Sequence, residues 1–156
     1  MKIKLIVIGK TDENYLKEGI NKYTSRLKHY INFELKEVAD VKVGKKLNTN
    51  TQKEAEGKEI IKLISKSAFV VLLDEQGKEY HSINFSQFIQ KRMNTGMDLT
   101  FVIGGPFGFS EEVYKASDVK IALSQMTFSH QMVRLFFTEQ LYRSLTILKG
   151  EKYHHN

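Results

Sequence analysis

Three segments of this 156-residue chain hold residue types whose spacing suits chemistry. The first is Ile103-Gly104-Gly105-Pro106-Phe107-Gly108-Phe109, which follows an apolar run and precedes a helix start. Glycines in such a place let the backbone come close to a ligand and reach positive φ. The run is not a G-x-G-x-x-G fingerprint, and it has neither the Lys nor the Ser/Thr of a phosphate-binding P-loop, so dinucleotide and nucleoside triphosphate binding have little support. Taken alone, it is equally a turn that only reverses the chain.

The second segment is Leu123-Ser124-Gln125-Met126-Thr127-Phe128-Ser129-His130-Gln131. Small polar residues between apolar ones give hydrogen-bonding edges in an apolar wall, as an adenine pocket requires. Ser129 can cap the helix that follows, whose first amides suit an anionic or carbonyl-bearing ligand. His130 alone is more often a surface or capping histidine than a catalyst. The third segment is the tail, Lys149 to Asn156, where Tyr153, His154 and His155 follow Lys152. Such rings can stack on an unpaired base, although tails commonly fray. The five histidines show no H-E-x-x-H or similar spacing, and no metal is expected.

These segments need a scaffold, and the chain has the means to build one. A hydrophobic content of 41% suffices for the core of a single domain spanning 1–156. With one proline and no low-complexity stretch, no interdomain linker is visible. Lys and Arg total 24 against 18 acidic residues, and the charge of +6 favours a polyanionic partner. The absence of cysteine excludes disulfides and thiol nucleophiles and fits a reducing compartment. No apolar run approaches the length of a signal peptide or membrane span, so a cytoplasmic protein without a membrane partner is expected.

Five apolar runs read as strands: Ile3 to Ile8, Phe33 to Val38, Phe69 to Leu73, Leu99 to Ile103 and Val119 to Leu123. Helical patterns separate them. Leu16, Ile20, Tyr23 and Leu27 share one helical face, and Thr51 with Glu54 forms a capping box for a helix running toward Ile64. A third helix carries Phe85, Phe88, Ile89 and Arg92 and ends near Gly96, and a fourth starts at Ser110. The last runs from Ser129 to Lys149, with Gly150 as its C-cap. Lys42 to Gln52 reads as a long surface loop. The alternation predicts an α/β fold: a mainly parallel sheet with helices on both faces and ligands beyond the carboxyl ends of the strands, after Leu73, Ile103 and Leu123. The last helix is apolar over more than one narrow stripe. That predicts two apolar contacts, one with its own sheet and one with another subunit, or else a fully buried helix.

Read together, the three segments resemble the small SPOUT methyltransferases, in particular the bacterial family that methylates a pseudouridine of a 23S rRNA hairpin at N3, the ring nitrogen between its carbonyls. The likeness runs from Met1 nearly to the end. It rests on Ile6 to Lys10, Val102 to Gly108, Leu123 to Phe128, His130 with Arg134, Glu139 to Arg143, and the closing Tyr153-His154. The resemblance implies a C-terminal trefoil knot, which topology rules would have rejected. It implies S-adenosyl-L-methionine (SAM) bent in a pocket lined by Leu73, Gly104 and Leu123, Ser124, Gln125, Met126, Thr127 and Phe128, with Gly105 joining from the glycine run. It also implies a homodimer in which one active site draws on both chains.

Two positions depart from the family pattern: Ser129 stands where relatives have proline, and His155 where relatives commonly have a cation. Because SAM is already activated, the protein has mainly to position the reactants and let the imide nitrogen lose its proton. The resemblance assigns His154 and Tyr153 to the base, Arg134 to RNA or the developing anion, and His130 nearby. Arg134 is equally readable as a structural cation. The partner is then ribosomal RNA, within the assembled ribosome. The rival readings are a non-catalytic RNA-binding module that ignores SAM, and a SPOUT enzyme acting on tRNA.

Overall fold

The computed structural model describes residues 1–41 and 48–155, over which strands and helices alternate strictly. They are β1 (Lys2–Ile8), α1 (Asn14–Leu27), β2 (Asn32–Val38), α2 (Thr49–Leu63), β3 (Phe69–Glu79), α3 (Ser82–Thr95), β4 (Leu99–Ile103), α4 (Glu111–Lys115), β5 (Val119–Ala122) and α5 (Met132–Leu148). All strand pairs are parallel, in the order β2-β1-β4-β3-β5. Every residue of β4 is buried, which is why the central strands read as continuous apolar runs rather than as an alternation.

The two sheet faces carry separate cores. Leu5, Phe101 and Val71 face α1, α3 and α5, where the rings of Phe101 and Phe137 lie 4.6 Å apart. Ile6, Leu72 and Val102 face α2 and α4 through Ile60 and Val113. The expected sheet with helices on both faces is therefore present.

Several boundaries moved. β3 does not end at Leu73. Leu73 and Lys78 both register with Ile121, so residues 74–77 bulge out of the ladder before pairing resumes. The polar run there hides the continuation, because an edge pairing needs no apolar alternation. Helix α2 is capped by Asn48, whose Oδ1 accepts from the Asn50 N–H at 3.0 Å, and not by Thr51. Residues 48–52 thus form a cap and a first turn where a loop was expected; the rest of that loop, 42–47, lies outside the described residues.

Helix α5 starts at Met132, and Ser129 caps the turn before it: its Oγ accepts from the Met132 N–H at 3.1 Å. At the far end Gly150, at φ +69°, donates to Ile147 O while Glu151 donates to Thr146 O, a Schellman motif. This turn sends the tail back over the helices, and the Tyr30 hydroxyl fastens it by donating to Glu151 at 2.6 Å.

Candidate active site

Three segments converge beyond the carboxyl ends of β3, β4 and β5 on a cavity of about 520 Å³. Its lining includes Leu73, Gly104, Gly105, Leu123, Ser124, Met126, Thr127, Phe128 and His130, all named from the sequence. Gln125 is not among the lining residues. Phe107, from the glycine segment, lines it too, and Asp74, Glu75, Gln76 and Tyr114 line it as well and were missed. The signal for Asp74, Glu75 and Gln76 was their place directly after an apolar run that ends at the ligand-binding edge of the sheet.

The glycine segment is shaped by what it packs on. Gly108, at φ +80°, donates its N–H to Gly105 O at 3.1 Å and closes a tight turn. A Cβ on Gly105 would stand 2.8 Å from Glu56 Oε2. Glu56, only 4% exposed, accepts from Gln52 Nε2 at 2.9 Å, while its Oε2 has no hydrogen-bond partner among the described residues. Burial above all pushes its carboxyl above the usual range, and the charge of Asp40 adds to this. Opposite the glycines, Ser124 Oγ accepts from the Met126 N–H at 2.9 Å and folds the 123–128 segment inward. Burial, reinforced by the nearby Arg134 charge, lowers the pKa of His130, so the imidazole facing the cavity is neutral near pH 7.

Arg134 sits behind the cavity wall and is not a lining residue. It is 1% exposed and donates to Gly9 O at 2.9 Å, to Thr11 Oγ1 at 3.1 Å and to Ile8 O. Gln131 reinforces the junction: its Nε2 donates to Lys10 O, and its Oε1 accepts from the Asp12 N–H. The Arg134 bonds reach the buried carbonyls of Ile8 and Gly9, and together with Gln131 they fasten the start of α5 to the end of β1.

The tail is not at its own chain's cavity. The Tyr153 hydroxyl donates to Glu139 Oε1 at 2.9 Å and lies 3.4 Å from the Tyr23 hydroxyl, and its ring meets Tyr142 edge-on at 4.8 Å. Arg143 lies over the Tyr153 ring, pairs with Glu139 and reaches His154 Nδ1 at 3.4 Å. Burial, followed by the bonds to Tyr23 and Glu139, pushes the Tyr153 pKa above the ordinary phenol range, so this hydroxyl keeps its proton. Val133 lines the cavity and Arg143 lies ten residues on, about 15 Å along the helix. The four residues named for catalysis are therefore divided: His130 at the cavity, Arg134 behind its wall, Tyr153 and His154 remote.

Among the described residues no group of three or more His, Cys, Asp or Glu could hold a metal ion, and no helix is long and apolar enough to cross a membrane.

Comparison with known proteins assigns a chemistry to this geometry. A family model described as "Predicted SPOUT methyltransferase" matches residues 1–154. The chain is 62% identical to the Ribosomal RNA large subunit methyltransferase H of Christiangramia forsetii, and 56% identical to the protein of the same name from Parabacteroides distasonis. Each match covers 99% of both chains. A methylase family protein from Neisseria gonorrhoeae has a similar fold, with a TM-score of 0.54 at 10% identity over 90% of this chain and 81% of that one.

Proposed function

Because this chain belongs to the SPOUT methyltransferase family, we propose that it methylates N3 of a pseudouridine in the 23S rRNA of the large ribosomal subunit, with SAM as donor. One observation carries this reading: the glycine turn, the 123–128 segment and the end of β3 close on a single cavity at the ligand-binding edge of a parallel sheet. The cavity is of small-molecule size, with apolar walls from Leu73, Ile103 and Leu123 and polar edges from Ser124 and Thr127, which fits a nucleoside. SAM, when bound, supplies a methyl group already activated on a sulfonium. The residues of the chain position, desolvate and manage one proton. Gln125 keeps a proposed place beside the donor through its neighbours.

The acceptor nitrogen must give up its proton. His154 is the proposed base: its Nδ1, which accepts from Arg143 before the partner RNA arrives, gives up that bond and takes the imide proton, and Tyr153 keeps its own. Arg134 holds the start of α5, and with it His130, against β1. Since the tail lies remote from its own cavity, His154 of the partner subunit is proposed to complete each site in a homodimer. The face left open supports this: Phe136 is 41% exposed and packs on Phe128 at 4.9 Å, at the cavity edge.

The trefoil knot is proposed from the path of the chain, which leaves the β5 edge and is fastened at the end of β1, with β3 and β4 between them. A cytoplasmic location and a ribosomal substrate follow from the same reading, and the charge of +6 suits RNA. The test is mass spectrometry of rRNA from cells lacking the gene. One methyl group lost from a 23S pseudouridine is expected; intact 23S rRNA with a methyl lost from tRNA would overturn the assignment.

A further inference from the structure

The sign of the charge at the cavity is opposite to that of the protein. The chain carries +6, yet among the described residues no Lys or Arg lines the cavity, and Asp74 and Glu75 are its only acidic lining residues. The bulge in β3 places them there. Gly77 lies so close to the next strand that a Cβ would stand 2.5 Å from Ile121 N, which pins residues 74–77 outside the ladder. The Gln76 N–H donates to Asp74 Oδ1 at 2.9 Å and tightens the turn.

Both carboxylates are held by neutral donors. The Tyr114 hydroxyl donates to Asp74 Oδ2 at 2.5 Å, and the Thr127 hydroxyl to Glu75 Oε2 at 2.9 Å. Burial, together with the Asp74 bond, pushes the Tyr114 pKa up to about 12, so it remains a donor. These bonds orient the carboxylates without neutralising them, and no ion pair among the described residues involves either one. An oriented, uncompensated negative pair beside apolar walls favours a ligand with an apolar body and a cationic end, and it repels phosphate.

We infer that Asp74 and Glu75 seat the cationic methionine end of the donor, and so discriminate between the donor and nucleosides that lack this charge. The inference rests on the reading of the cavity as the donor site. The sulfonium and the ammonium of SAM are the two cations available, and neither exists in 5′-methylthioadenosine, which keeps the nucleoside, the methyl group and the sulfur as an uncharged thioether.

The test is calorimetry of the full chain with SAM and with 5′-methylthioadenosine, for wild type and for Asp74→Asn with Glu75→Gln. SAM affinity should fall at least about tenfold in the variant while 5′-methylthioadenosine changes less than about twofold. Equal losses for both ligands would mean that the carboxylates only shape the pocket, and unchanged SAM affinity would mean that they touch no cation; either overturns the seat and leaves the donor site standing. A wild type that binds neither ligand overturns the donor site itself. Should the double variant fail to fold, Glu75→Gln alone, at the exposed rim, carries the same comparison.

Discussion

The cavity and the tail are held by different means. Around the cavity, backbone turns and a few side-chain bonds shape loops: Gly105 rests on a buried carboxylate, Ser124 folds its own segment, and Met126 is left 75% exposed. At the tail, a Schellman turn leads into rings and ions packed on two helices, with Tyr153 in contact with Tyr23, Tyr142, Glu139 and Arg143. The proposed donor site, which would admit and release a small molecule, is built from loops, while the arm proposed to present a proton acceptor is packed like a core. The separation along α5 further implies that donor binding and methyl transfer can be damaged independently.

The sharpest way to break this comparison is to remove the arm. Deleting Tyr153 to Asn156 should lower single-turnover methyl transfer by at least about a hundredfold, since a positioned base is worth that much, while calorimetric SAM affinity stays within about twofold. Parallel loss of both would mean that the arm belongs to the donor site. Gly105→Val makes the opposite cut. Its Cβ would meet the buried Glu56 carboxyl at 2.8 Å, so the turn must shift, and SAM affinity should drop on the order of tenfold or more while thermal unfolding stays cooperative. Gly104→Ala should cost less, because its Cβ would meet only the Phe109 ring and Gly108 O, at 3.2 to 3.3 Å.

Arg134→Met probes the junction behind the cavity. It strips the Ile8 and Gly9 carbonyls of their donor and should cost about 3 kcal/mol in urea denaturation. A cost near zero would return Arg134 to the list of RNA contacts.

The smallest effect is expected at Glu56, and it is a matter of pH. Its folded pKa is raised, so as pH climbs past the unfolded value of about 4.3 the unfolded chain releases a proton that the folded chain still holds. Wild-type stability should therefore decline from there through the folded pKa and then level off. Glu56→Gln should lack that decline and be the more stable form at neutral pH. Equal urea midpoints across pH 4 to 8 would show that the carboxyl is not buried under the turn as described.

Much of this architecture was legible because hydrophobic period and turn chemistry point the same way. Leu99 to Ile103 is apolar but for the β-branched Thr100, and Ser110, Gly96 and Gly150 punctuate helices where caps belong. Most of the cavity lining was legible for the same reason, since glycines and small polar residues fall directly after strands. What stayed hidden depends on contacts distant in sequence. Asp74 and Glu75 gain meaning only from Tyr114 and Thr127, 40 and 52 residues on. Arg134 donates to carbonyls more than 120 residues away, contacts that its residue type alone does not announce. Nor does the sequence tell that the tail lies along its own helix, away from its own cavity.

In the proposed dimer one site receives its donor pocket from one chain and its base from the other, for transfer of a methyl group to rRNA. Co-expressing a Gly105→Val chain with a chain lacking Tyr153 to Asn156 tests this directly, with methylation of ribosomes from cells lacking the gene as readout. Each variant alone should be nearly inactive. The mixture should recover about a quarter of wild-type activity, because half of randomly paired dimers are mixed and each holds one complete site. A mixture no more active than its components would show that each chain uses its own tail, contradicting the shared site.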